Sequence, residues 1–236
     1  MRMFAGPNGL GKTTVKNGLP AGLFGIDINP DDIEKAVREY GVLPLDRFGV
    51  SFTTPELRAF FASSKWLIAN RLAEAASVVE CREGAINFGG LAMNSYYASV
   101  LADALRRKLL AGRTSFSTET VMSAPDKVEL LRDAQSCGFR TYLYFVATEN
   151  PAINVARVKN RVADGGHDVP EVKIVERYAR SLGLVREAVR HTNRAYFFDT
   201  SEADAKYVAE VTDGQVVDLK SDDMPGWFKA AVWDKF

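Results

Sequence analysis

Cysteine and histidine are scarce in this 236-residue chain, with two of each. Cys81 and Cys137 stand far apart, without further cysteine or clustered histidine. That excludes a disulfide framework and a Cys/His zinc site, and it fits a reducing compartment. Both are expected to be small buried hydrophobes. No run approaches the ~18 apolar residues that a membrane-crossing helix needs. The first residues do not form a signal peptide, so a cytoplasmic protein is expected. Net charge is lacking too: thirty Lys and Arg balance thirty Asp and Glu. No global field therefore draws the chain to nucleic acid or to an anionic membrane, and neither is expected as a partner. Internal repeats, low-complexity tracts and a Pro/Gly/Ser-rich linker are also absent. The chain thus reads as one domain, 1–236, with 47% apolar and 25% charged residues to build a sizeable core.

What is present begins at Gly6. The stretch Gly6-Pro7-Asn8-Gly9-Leu10-Gly11-Lys12-Thr13-Thr14 satisfies the pattern G-x-x-x-x-G-K-[ST] in full. Its glycines allow the backbone to curl so that N–H groups face phosphate oxygens. Lys12 can reach the β- and γ-phosphates, and the Thr13 hydroxyl can ligate Mg²⁺. A helix opening at the loop adds unpaired N–H groups and partial positive charge. Apolar Met3-Phe4-Ala5 precedes it as a short strand should. These residues predict nucleoside triphosphate binding.

Strand and helix patterns then alternate. Asn29-Pro30-Asp31-Asp32 turns into a helix to about Tyr40. Thr54-Pro55-Glu56 starts another, with Thr54 as cap and helical apolar spacing from Leu57 to Val79. A third helix follows from about Asn94. Thr114 to Thr118 reads as a strand ending in the polar cluster Thr118-Glu119-Thr120. Pro125 to Cys137 is helical, Arg140 to Ala147 a buried strand, and Pro151 to Ala163 helical. Glu171 to Asn193 forms a long helix, Ala195 to Asp199 a strand, and 206–211 with 215–219 a hairpin. This order predicts an α/β fold with a mostly parallel sheet flanked by helices, a small C-terminal β-hairpin and a helical elaboration at about 41–94. Ligands gather at the carboxyl ends of such strands, where Asp31, Glu119 and the loop are expected to converge.

Together AGPNGLGKTT, INPDDI, FSTETVMS, RVKNRVADGGHDVPEVKIVERYARSL and AYFFDTS resemble the zeta-toxin family of phosphate-loop kinases, in its shorter bacterial branch. The resemblance runs from Met3 to Ser201 and thins between about Gly41 and Asn94. It implies a kinase fold, transfer of the ATP γ-phosphate to a hydroxyl of a UDP-N-acetyl sugar, toxicity, and a neutralising antitoxin. By position Asp31 matches the family's catalytic aspartate, and Glu119 the acidic residue at the substrate and metal. Two departures stand out. Val121 replaces a threonine often found two residues beyond that glutamate, with Thr120 before it. His167 falls where larger toxins carry a lid arginine, and counts as a substrate-side candidate.

The residues support phosphoryl transfer independently. Such a reaction needs phosphate cradling, a metal, positive charge on the transferring group and a base near the attacking hydroxyl. Arg157 and Arg161, four apart, share a helix face and can neutralise the γ-phosphate, or else form a solvated face. Asp31 competes with Asp27 and Asp32 for the base, since acidic residues at helix starts also serve as caps. Glu119 and Thr120 suit the acceptor, and Asp199 suits the capping of the next turn. The aromatic stretch Trp227 to Trp233 either docks on its own domain or meets a partner. Two alternatives stay open: a kinase for another nucleotide or sugar, and a non-catalytic ATP-binding interaction module.

Overall fold

The computed structural model describes residues 1–165 and 168–236. Its strands are β1 Arg2–Ala5, β2 Ile26–Ile28, β3 Val42–Pro44, β4 Glu80–Arg82, β5 Ala85–Asn87, β6 Phe116–Thr120, β7 Tyr142–Ala147, β8 Arg194–Asp199, β9 Lys206–Thr212 and β10 Val216–Leu219. The helices are α1 Lys12–Asn17, α2 Pro30–Tyr40, α3 Thr54–Ala62, α4 Lys65–Ala69, α5 Ser95–Ala111, α6 Asp126–Ser136, α7 Pro151–Ala163, α8 Glu171–Arg190 and α9 Gly226–Ala231. The chain divides into two compact units, residues 1–24 with 117–236, and residues 25–116.

In the first unit the strands lie in the order β10-β9-β8-β7-β1-β6. β6, β1, β7 and β8 are parallel, and the C-terminal hairpin adds β9 and β10 antiparallel. β7 (YLYFVA) is buried at every position after Tyr142, as a strand covered on both faces requires. Its register with β1 and β8 aligns Phe4, Tyr144 and Tyr196. Their rings stack at 4.8 and 4.9 Å, a cross-strand ladder on one face. Phe145 and Phe197 point to the opposite face, where they meet Trp227 and Phe228 of α9. The aromatic C-terminal stretch therefore docks on its own unit through these two residues, while Trp233 stays exposed.

The second unit holds β2 and α2, then a three-stranded antiparallel sheet β3-β5-β4, with α2 packed on α5. Here the structure corrects the sequence reading. The elaboration at 41–94 is not all helical: three three-residue strands lie within it, too short to show alternation. The helix expected across Leu57 to Val79 is also broken. α3 is capped by Thr53 rather than Thr54, in a capping box with Glu56. It stops at Ser63, and the Ser64 hydroxyl accepts the Leu67 N–H to start α4 afresh. Two adjacent serines thus take backbone partners that a continuous helix would use. Leu57, Phe61, Leu67, Ala76 and Val79 are all buried, but from separate pieces.

The strand expected at 114–118 lies two residues later. Arg113 adopts φ 50°, a left-handed turn that breaks extended backbone just before the strand, which runs Phe116–Thr120. That shift puts Glu119 and Thr120 inside β6. Cys81 and Cys137 are free and half-buried, not the buried hydrophobes expected.

Candidate nucleotide-binding site

The loop leaves β1 under tight constraint. Gly6 has φ +142°, and a Cβ there would lie 2.0 Å from the Val146 carbonyl oxygen of β7. At Gly9, φ +78°, a Cβ would meet the Asn154 carbonyl at 2.9 Å. Gly11, also left-handed, caps α1. Leu10 is the loop's anchor, buried with Val15 and Val146. Lys12 is only 8% exposed. Its ammonium donates to the Gly6 and Pro7 carbonyls at 3.0 Å each, folded across the loop. Thr13 and Thr14 stand exposed on the first turn of α1.

A frame that sequence reasoning missed surrounds this loop. Asn154 of α7, fully buried, donates from Nδ2 to the Asn8 carbonyl at 2.6 Å. Its Oδ1 accepts from the Thr148 hydroxyl at 2.5 Å. The Thr200 hydroxyl reaches the Leu10 carbonyl at 3.2 Å, and the Thr200 N–H bonds to the Ala147 carbonyl at 2.9 Å. Thr148 is held in turn by Tyr178 of α8, whose phenol donates to the Thr148 carbonyl at 2.6 Å. Burial, and then the negative charges of Glu149 and Asp199, push the Tyr178 phenol up to about 12, so it stays a neutral donor. The one sequence signal for this frame is polar: a buried asparagine inside the apolar face of α7 demands partners.

Those two carboxylates are themselves engaged. Asp199 accepts the Trp227 indole N–H at 2.6 Å and the Ser201 N–H at 2.9 Å, so it does cap the turn after β8. Glu149 accepts the N–H groups of Gly226 and Trp227 at the start of α9.

The structure distributes the remaining candidates unevenly. Glu119 lies opposite Phe4, and Thr120 opposite Ala5, so both sit beside the strand end that leads into the loop. The Thr120 hydroxyl accepts the Met122 N–H at 3.0 Å, and the Val121 carbonyl accepts from Ser181 of α8. Arg157 is half-buried beside Gly9 on α7. Its guanidinium donates to the Glu202 carbonyl at 2.9 Å and approaches the Thr200 hydroxyl at 3.5 Å, so it rests on the segment after β8. Arg161 is exposed in the last turn of the same helix. Asp31 and Asp32 belong to the second unit, exposed in the first turn of α2, where Asn29 rather than either acid is the cap. Asp27 is half-buried in β2. His167 lies outside the described residues. Among the described residues no cluster of three or more His, Cys, Asp or Glu is assembled, and no helix is long and apolar enough to cross a membrane.

A loop of this geometry after the first strand of a largely parallel, helix-flanked sheet defines a phosphate-loop α/β protein. Comparison with known proteins narrows the fold. No family model matches the chain. A 63-residue stretch, 27% of the chain, is 32% identical to an uncharacterized protein of Haemophilus influenzae, covering 45% of that protein. Among solved structures, a chain of the AvrRxo1-ORF1:-ORF2 complex with ATP aligns over 99% of this chain at a TM-score of 0.52 and 16% identity. A structure of the PezAT chromosomal toxin–antitoxin system of Streptococcus pneumoniae aligns over 100% at 0.52 and 13% identity, covering 78% of that chain. This chain spans 62% of the length of the AvrRxo1 chain and less than half of the Haemophilus protein. At such identities the likeness is one of fold. What is shared is the fold of these ATP-bound and toxin–antitoxin structures, a mostly parallel α/β sheet flanked by helices with the phosphate loop after its first strand.

Proposed function

We propose that this protein is an ATP- and Mg²⁺-dependent small-molecule kinase that phosphorylates a hydroxyl of a UDP-N-acetyl sugar. In this reading it acts in the cytoplasm as a toxin restrained by an antitoxin protein. The observation that carries the reading is the loop itself: a buried Lys12 ammonium over the Gly6 and Pro7 carbonyls, at the end of β1 and beside Glu119 on β6. The loop fits a phosphate chain because its glycines hold positive-φ backbone against β7 and α7 where no side chain could stand, the turn that lets loop N–H groups face phosphate oxygens. The donors fit Mg²⁺, which takes hard oxygen ligands, few of them from protein. Thr13 would hold the ion, and when bound it would neutralise charge on the β- and γ-phosphates.

The chain's own groups then divide the work. Loop N–H groups and Lys12 hold the triphosphate. Glu119 and Thr120 orient the acceptor, and Asp31 takes its hydroxyl proton as the oxygen attacks the γ-phosphorus and the bond to the β-phosphate oxygen breaks. Arg157 and Arg161 offset charge on the transferred group, electrostatic work that dominates this chemistry. His167 joins the acceptor side of the same proposal.

A second reading, an ATP-binding interaction module without turnover, draws on Arg157, whose guanidinium already rests on Thr200 and Glu202. ADP release measured with and without UDP-N-acetylglucosamine decides between them. Acceptor-dependent ADP formation supports the kinase. ATP binding with no acceptor-dependent turnover overturns the sugar-nucleotide reading, and a panel of hydroxylated metabolites then tests other acceptors.

A further inference from the structure

In a planar trans peptide the carbonyl and the next N–H point in opposite directions. Whatever holds a loop carbonyl therefore aims the following N–H. Two carbonyls of this loop are held by side chains from outside the motif. The Asn8 carbonyl is held by Asn154, which turns the Gly9 N–H away from α7. The Leu10 carbonyl is held by Thr200, which turns the Gly11 N–H away from the end of β8. We propose that Asn154 and Thr200 are positioning residues that set these two amides for the phosphate chain of a nucleotide. The inference rests on the nucleotide-binding reading above.

Several observations make this more than packing. Asn154 is wholly buried and Thr200 is 7% exposed, so water cannot substitute for either. A backbone carbonyl only accepts, so the atom of Asn154 facing Asn8 must be its amide nitrogen. Its oxygen then faces Thr148, whose hydroxyl donates to it at 2.5 Å. The amide is thereby fixed at both ends. Thr148 and Thr200 directly follow β7 and β8, adjacent strands in register from Tyr142↔Arg194 to Ala147↔Asp199. Side chains anchored at two adjacent strand ends thus brace a loop whose turn its own glycines permit. A buried asparagine in a helix interior is costly unless it is paired in this way.

The test uses Thr200→Val, which keeps the shape and removes the hydroxyl, Thr200→Ser, which restores it, and Asn154→Asp, which sets a carboxylate oxygen against the Asn8 carbonyl. Dissociation constants for ATP and for adenosine are measured on each, with the thermal midpoint. A positioning role predicts that Thr200→Val weakens ATP about fivefold, the weight of one neutral hydrogen bond, and leaves adenosine within about twofold. Thr200→Ser recovers ATP affinity. Asn154→Asp weakens ATP at least about tenfold, because repulsion replaces attraction. Equal weakening of ATP and adenosine, or ATP affinity unchanged in folded variants, overturns the proposal. Should Asn154→Asp fail to fold, the Thr200 pair alone decides. Wild-type protein that binds no ATP overturns the nucleotide reading itself, and this inference with it.

Discussion

Replacing Gly6 by alanine adds one methyl group at the most crowded of the described glycines. That carbon would sit 2.0 Å from the Val146 carbonyl oxygen, within β7, whose backbone is paired on both sides. Relief requires about 1 Å of movement where β1 enters the loop. The residue must also adopt φ +142°, a region that L side chains rarely visit. The backbone conformation costs about 1–3 kcal/mol, and forcing a methyl into packed structure costs a similar amount. Together these come to about 4 kcal/mol, or about 8–16 °C in thermal midpoint for a chain of this size. Circular dichroism melting of Gly6→Ala measures the drop. Gly183→Ala supplies the control: this glycine lies exposed within α8 with nothing in reach of an added Cβ. It should gain about 1 kcal/mol and melt about 2–4 °C higher. A fall of less than about 3 °C for Gly6→Ala, with ATP affinity intact, would mean that the close approach to β7 does not constrain the loop.

Lys12→Met keeps the buried stem and removes the ammonium, so ADP release should fall by about a hundredfold or more, with the fold retained by circular dichroism. Tyr178 gives a pH signature. Its folded value is raised above the unfolded one, so its contribution is complete below pH ~10 and is lost as pH rises toward about 12. Urea unfolding across pH 9 to 12 should therefore show a steeper loss for the wild type than for Tyr178→Phe. At neutral pH that variant should be weaker by about 1–3 kcal/mol, because the buried Thr148 carbonyl loses its donor. Trp227→Phe preserves most of the ring contact with Phe145 but removes the donor to Asp199. Urea unfolding should find a loss of about 1.5–3 kcal/mol, the range for a bond to a charged group.

Local signals carried far in this chain. The phosphate loop is written in contiguous residues, because its glycines answer to backbone angles within the loop. α7 is bounded at Pro151 and Ala163 as its cap and period indicate, and β7 announces itself by unbroken apolar character. The frame behind the loop was not legible, because Asn8 and Asn154, or Leu10 and Thr200, are brought together only by the pairing of β1, β7 and β8. The strands of the second unit were hidden for a different reason: three residues are too few to display a period of two. The β6 boundary followed a left-handed turn at Arg113, a non-glycine residue that itself carries no turn signal. Arg157 shows the limit on the chemical side. Its spacing from Arg161 placed it on a helix face, but not which acceptors its guanidinium would meet there.

The docking of α9 changes what its removal would mean. Glu149 and Asp199, which hold the Gly226 and Trp227 donors, are the immediate neighbours of Thr148 and Thr200. Cutting the chain before Pro225 would take from Glu149 the two N–H donors of α9 and from Asp199 its indole donor, one peptide bond from the groups that brace the phosphate loop. A shortened protein that no longer binds nucleotide would then report a damaged foundation under the site, not a lost surface for another molecule.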